Sequence, residues 1–192
     1  MTGSSYIVRS ISKKVWKLNA DSNVYLLLFE EPIVIDTGRR SNRDLLVRFL
    51  DKVCPLNKVK HVIFTHLHYD HIGNFDLFKN AEFYASAKEI EDLKKNPYKT
   101  VMDEYMAKKF DIELKPAKDF DNLYVIDTPG HTRGSICLWY PEERILFSGD
   151  TIFNNKKIGR VDLPTSDPKR MNLTIMKLVH YNFKILCPGH DY

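Results

Sequence analysis

Short apolar runs separated by turn residues open the chain: Tyr6–Ile11, Val15–Leu18, Val24–Phe29 and Ile33–Ile35, interrupted at Asn19–Asn23 and at Glu30-Glu31-Pro32. Runs of this length bounded by turn formers predict an antiparallel meander. The period then changes. Leu45, Leu46, Phe49, Leu50 and Val53 recur at helical spacing behind Ser41, read as an N-cap with Asp44 three residues on, and Pro55 stops the helix. A β-branched and aromatic strand, Lys60–Phe64, follows, then a strand at Ala81–Ala85 and charged helices at Ala87–Lys95 and Tyr98–Phe110.

The second half reads the same way. Leu123–Ile126 is a predicted strand, and Ile136–Tyr140 with Ile145–Phe147 a predicted hairpin over Pro141–Arg144. Ser166-Asp167-Pro168 combines a capping residue with proline in the first turn of a helix whose inner face is Met171, Ile175, Leu178 and Val179. Lys184–Cys187 is the last predicted strand. Two runs of strands, each followed by helix, predict an α/β fold: a four-layer αβ/βα sandwich with two mixed sheets between helical layers. With no linker and no composition shift, residues 1–192 are read as a single domain.

Composition adds boundaries to this picture. Hydrophobic residues make up 43% and charged residues 28% of the 192 positions, values of a globular protein able to bury a core without disulfides. Net charge is only +4 and the basic pairs are dispersed, so no nucleic-acid surface is expected. The three cysteines, Cys54, Cys137 and Cys187, lack CxxC spacing and read as buried, reduced thiols. No apolar leader or spanning segment is evident, and a cytoplasmic protein with no membrane partner is expected.

The chemistry concentrates where strands end. Five of the seven histidines fall into one set: His66, His68 and His71 lie with Asp70 in six residues, and His131 and His190 follow later strands, as does Asp150. Imidazole and carboxylate donors suit borderline divalent ions such as zinc, and also iron. His66 and His68, two apart on an extended segment, reach one ion from the same side, and His131 completes three nitrogen ligands with a position left for water. Asp70, His71 and His190 are candidates for a second ion, with Asp150 bridging the two. Such a centre generates a nucleophile from water near neutral pH and polarises a carbonyl or phosphoryl oxygen. No GxSxG elbow competes with it, and Ser148 and Cys137 have no evident base. Asp36, in Asp36-Thr37-Gly38, closes a strand and is placed to accept a hydrogen bond from a ligating imidazole; a turn stabilised by Asp and Gly is the competing reading.

These motifs carry a resemblance. The order His66-x-His68-x-Asp70-His71, Thr128-Pro129-Gly130-His131, Ser148-Gly149-Asp150-Thr151 and Pro188-Gly189-His190 resembles the metallo-β-lactamase superfamily. The segment from Gly130 to Ser135 and Gly159-Arg160-x-Asp162 are most similar to its glyoxalase II (hydroxyacylglutathione hydrolase) branch. The resemblance implies the αβ/βα fold, a centre of two zinc ions or mixed zinc and iron, and thioester hydrolysis. It assigns His66, His68 and His131 to one metal, Asp70, His71 and His190 to the other, and Asp150 to the bridge, with Asp70 also holding the nucleophile. Glutathione thioesterases of that branch continue past the last histidine into a basic helical region. This sequence runs to Tyr192, which leaves Arg160 as the candidate for an anionic group of a small-molecule substrate and a homodimer to cover the rim. The ending Pro188–Tyr192 also resembles the persulfide dioxygenases, which implies as the alternative a single iron held by His66, His131 and Asp150.

Overall fold

The computed structural model describes residues 7–191. The meander forms as expected: β1 (Ile7–Ser10), β2 (Val15–Asn19), β3 (Val24–Leu27) and β4 (Ile33–Ile35) pair antiparallel in sequence order. Tyr6, the expected start of the first run, lies outside the described residues. Then the direction of pairing changes. β5 (His61–Ile63), β6 (Glu82–Ala85) and β7 (Leu114–Pro116) add parallel to β4, completing a seven-stranded mixed sheet. Parallel neighbours need crossovers. These are α1 (Arg43–Val53) between β4 and β5, a short α2 (Tyr69–Ile72) between β5 and β6, and α3 (Ala87–Lys95), α4 (Pro97–Val101) and α5 (Glu104–Lys109) between β6 and β7.

The second sheet has four strands: β8 (Tyr124–Asp127), β9 (Ile136–Tyr140), β10 (Ile145–Gly149) and β11 (Ile185–Pro188), in the order β11-β10-β9-β8. β9 is antiparallel to both its neighbours, while β11 joins β10 in parallel after α6 (Pro168–Val179).

Burial on both faces explains the sequence of β3. Tyr25 and Leu27 point into the layer between the sheets, where they meet Ile63, Leu138, Tyr140, Ile145 and Phe147; Leu26 faces the opposite way onto Leu46, Phe49 and Leu50 of α1. A strand covered on both sides reads as a continuous apolar run. On the far side Leu178 of α6 packs on Ile126, Cys137 and Leu146 of the four-stranded sheet. The layers are therefore helix, sheet, sheet, helix, and the α/β sandwich is confirmed. All three cysteines are free and buried. Among the described residues no helix is long and apolar enough to cross a membrane.

Several local expectations shift. Ser41 does not cap α1; it lies in a 3₁₀ turn, Arg40–Asn42, and α1 begins at Arg43 with no side-chain cap. The single helix expected over Tyr98–Phe110 is two, because Met102 adopts a left-handed conformation at φ 62° and Asp103 starts a new helix by accepting from Met106 N–H. In α6, Thr174 takes the inner position beside Met171 and Leu178, while Val179 is 76% exposed. β7 was not anticipated: three residues ending in proline, paired on one edge only, carry too little pattern.

Candidate metal centre

The ligand candidates follow the carboxyl ends of strands, with Asp70 and His71 in α2 a little beyond β5. β5 leads into Thr65 and His66, β8 into the loop carrying His131, β10 into Asp150 and β11 into His190. Open α/β sheets gather ligand sites at that edge. Contacts across the sandwich complete the convergence. The Tyr25 hydroxyl donates to Pro188 O at 2.7 Å and Asn23 N–H to Gly189 O at 2.7 Å, which docks the end of β11 on the meander. Lys17, buried, ion-pairs with Asp191 beside it.

The structure brings all seven together, in three overlapping groups: His66, His68 and His131; His66, His71 and Asp150; Asp70, His71 and His190. Within each, the donor atoms lie within 4.8 Å of one another. His131 Nε2 is 3.1 Å from His68 Nδ1. Two nitrogens on one tetrahedral ion with bonds of about 2.0–2.1 Å would sit roughly 3.3–3.4 Å apart, so this spacing fits ligation. Asp150 turns Oδ1 to His71 Nε2 at 3.4 Å and Oδ2 to His190 Nε2 at 3.4 Å and His131 Nε2 at 3.7 Å. Asp70 Oδ2 is 3.3 Å from His190 Nε2 and 3.8 Å from His71 Nε2.

The opposite edge of most rings is tied down. His71 Nδ1 meets Asp36 Oδ2 at 2.8 Å, His131 Nδ1 meets Arg160 O at 2.8 Å, and His190 Nδ1 meets Asp21 O at 2.5 Å. Thr65 Oγ1 donates to Asp36 Oδ2 and accepts from His66 Nδ1 at 3.1 Å. A protonated Nδ1 leaves the Nε2 lone pair facing the cluster, the arrangement that orients imidazoles around metals. Asp36 thus serves two rings, at a backbone φ of 56° that costs strain in a non-glycine residue. His66 Nε2, His71 Nε2 and Asp150 Oδ1 are buried without a hydrogen-bond partner. Such atoms are costly unless something else satisfies them. Three orphaned donors within 4.8 Å, all of ligating type, fit a divalent cation.

Electrostatics divide the cluster. Burial and neighbouring histidines push His66 down, and burial chiefly pushes His131 down and His68 to about 3. His71 and His190 are likewise penalised by burial, yet Asp150 and other carboxylates outweigh it and raise them to about 9 and about 11. Burial opposes ionisation of Asp70 and Asp150, but the histidines prevail and hold both below the usual carboxylate range. In the metal-free chain His71 and His190 are therefore charged at pH 7, whereas ligation needs their Nε2 bare. Zinc loading at pH 7 is expected to release about two protons per chain, read as a dependence of calorimetric enthalpy on the buffer's ionisation heat; no dependence would contradict the arrangement. The raised values also stabilise the metal-free fold, fully below pH 6.5, and that contribution is lost as pH rises through about 9 to 11.

Glycine matters at two of these loops. A Cβ on Gly189 would lie 2.2 Å from Asp150 Oδ1 and 2.8 Å from His71 Cε1. Gly149, at φ 47°, would press on Thr65 at 2.6 Å. Gly189→Ala is expected to displace Asp150 and weaken zinc binding by at least about 10-fold in equilibrium dialysis, the scale of disturbing a ligand's support.

A cavity of about 780 Å³ opens over the cluster, walled by Asn19, Arg39, Tyr69, Met102, Arg160 and Leu163 and floored by His68, Asp70, Asp150 and His190. The Arg160 guanidinium is exposed and forks onto Asp162 at 2.8 and 3.0 Å. Its backbone carbonyl is what touches the cluster, through His131. Arg39, which sequence reading passed over as one of a dispersed pair, stands at the mouth with its guanidinium 5.3 Å from the Tyr69 ring centre and paired to Asp21. Glu89 was also missed. It is fully buried, and its carboxylate accepts from Leu67 N–H at 2.9 Å and Thr132 Oγ1 at 2.6 Å.

The family model of the metallo-beta-lactamase superfamily matches residues 20–190, and the chain belongs to that superfamily. A probable metallo-hydrolase of Methanocaldococcus jannaschii is 33% identical over 92% of this chain and 92% of its own length. A hydroxyacylglutathione hydrolase of Francisella tularensis subsp. novicida is 31% identical over 93% of this chain and 67% of its own. Among solved structures, TTHA1623 in a di-iron-bound form superposes with a TM-score of 0.71 at 22% identity, over 97% of this chain and 92% of that one.

Proposed function

We propose that the protein is a metal-dependent hydrolase of small acyl thioesters or related esters, with two ions held by His66, His68 and His131 and by Asp70, His71 and His190, and Asp150 shared between them. The observation that carries this is the set of orphaned donors, His66 Nε2, His71 Nε2 and Asp150 Oδ1, at the meeting point of three ligating groups under an open cavity. The hydroxyacylglutathione hydrolase relative supports the thioester class, and the di-iron neighbour keeps iron beside zinc as the metal.

Bound ions supply Lewis acidity, which polarises an acyl carbonyl and lowers the pKa of water toward about 7. The chain's own groups do the rest. Asp70 and Asp150, both held ionised by the surrounding histidines, would orient the attacking water. As its oxygen adds to the carbonyl and the C–S bond breaks, its proton passes to solvent or to the departing thiolate. Asp36, Asp21 O and Arg160 O hold the rings so that little reorganisation is needed as charge develops on the carbonyl oxygen. The acyl group and its leaving thiol lie in the cavity, with Arg39 and Arg160 at its rim to meet an anionic substituent.

Metal analysis of the purified protein, paired with assays of acyl-thioester hydrolysis and of oxygen uptake with glutathione persulfide, tests the reading. About two metals per chain with thioester cleavage is expected. Fewer than one metal per chain overturns it, and oxygen uptake by iron-loaded protein without hydrolysis replaces it with the dioxygenase.

A further inference from the structure

We infer that Glu89 is a positioning residue for the His66, His68 and His131 half of the cluster, a buried carboxylate strap that sets the distance between the two loops carrying those histidines. This rests on the metal-centre reading above. Leu67, whose N–H the carboxylate accepts, lies between His66 and His68; Thr132, whose hydroxyl it accepts, follows His131. The two loops are 63 residues apart in sequence, and besides the contact of the rings themselves a backbone bond from Ile136 N–H to Thr65 O joins their bases. Glu89 adds a link through both backbone and side chain between the histidines. One oxygen takes each loop, Oε2 on Leu67 and Oε1 on Thr132.

Helix α3 is built to deliver that carboxylate. Ser86, Glu89 and Asp92 recur every three residues and share one face. Each holds the segment from Thr132 to Gly134: Ser86 Oγ donates to Gly134 O at 2.6 Å, Glu89 accepts from Thr132, and Asp92 ion-pairs with Arg133. Gly134 permits the approach, for a Cβ there would lie 2.6 Å from Glu89 N and 2.8 Å from Glu89 Cγ. The spacing Ser86-x-x-Glu89 is that of a capping box. Ser86 does cap the helix by accepting from Glu89 N–H, yet the Glu89 side chain turns away to the ligand loops. A carboxylate with zero exposure and two acceptor roles on either side of a metal site has a purpose beyond helix capping.

The other half of the cluster is anchored elsewhere, His71 on Asp36 and His190 on Asp21 O. Loss of the strap should therefore act on one ion and spare the other. Glu89→Gln keeps the shape but presents an amide N–H to one of two donors. Calorimetric titration of the metal-free protein with Zn²⁺ is expected to show two equivalents for the parent chain. In Glu89→Gln one equivalent should weaken by about 10- to 100-fold, the scale of losing a ligand's hydrogen-bonded support, and the second should keep its affinity. Thr132→Val, which removes one donor at nearly constant volume, should weaken the same equivalent, and the double variant should add little. Leu46→Ala, in the buried core of α1, controls for stability loss alone and should lower Tm with both equivalents retained. Unchanged affinities in Glu89→Gln and Thr132→Val, or equal weakening of both equivalents, overturn the inference while leaving the metal-centre reading intact. A parent chain that binds no Zn²⁺ overturns both.

Discussion

Asp150→Asn is expected to reduce bound metal from about two ions to one or fewer per chain and to lower kcat/KM for thioester cleavage by roughly 10³-fold. The substitution keeps the shape and removes one negative charge from the point where three histidines meet. Oδ1 faces His71 while Oδ2 faces His131 and His190, so Asp150 addresses both ligand groups. An asparagine amide offers one neutral acceptor in place of two anionic oxygens. Several kcal/mol of charge stabilisation depend on a correctly held ion, and each 1.36 kcal/mol is about tenfold in rate. Metal analysis and steady-state kinetics on the same preparation check the expectation. Two ions with undiminished turnover in the variant would remove Asp150 from the centre.

Asp36→Ala is the second large effect, and it acts on stability as well as metal. The carboxylate is 2% exposed and accepts from Thr65 N–H, Thr65 Oγ1 and His71 Nδ1, all near 2.8 Å. Removing it leaves up to three buried donors without an acceptor, at about 1–3 kcal/mol each, so a loss on the order of 4 kcal/mol is expected. For a chain of this length that lowers Tm by roughly 10 °C. Zinc affinity should fall by about 10- to 100-fold, because His71 loses its fixed tautomer and His66 its support through Thr65. Relief of the strained backbone at Asp36 offsets little, since alanine inherits the same positive φ. Thermal melts with and without zinc separate the two effects; a Tm within 2 or 3 °C (about 1 kcal/mol) of the parent chain would show that the donors find other partners.

These expectations differ in how far they could be read from the chain. Asp150 follows from its place after a strand in Ser148-Gly149-Asp150, and Asp36 from its place at the end of Ile33–Ile35. Glu89 could not be read so: in Ala87–Lys95 it is one of several charged residues, and the S-x-x-E spacing suggests a cap. What distinguishes it is the close approach of Gly134, a residue 45 positions away. Arg160 shows the converse. Its side chain, expected at an anion site, stands in the wall of the cavity, while the contact with His131 is made by its carbonyl, a role any residue would supply and no side-chain pattern could signal. The errors in α1, α4, α5 and α6 are local and share a cause. Propensity marks where a helix can lie, whereas packing against a sheet decides which residue starts it, as Arg43 rather than Ser41, or faces inward, as Thr174 rather than Val179.

The sequence by itself determined the α/β class, most of the strands and the short list of donor side chains, because apolar periodicity and the spacing of His66, His68, Asp70 and His71 are local properties that no partner can alter. Only the tertiary structure decided which ring nitrogen each histidine presents. The acceptors that fix Nδ1 come from elsewhere: Asp21 for His190, Arg160 for His131, Asp36 for His71. Separations of 169, 29 and 35 residues carry no sequence signal of their own. A hydrogen bond is a matter of two or three ångströms between atoms, and that distance exists only once the two sheets have closed on their common core.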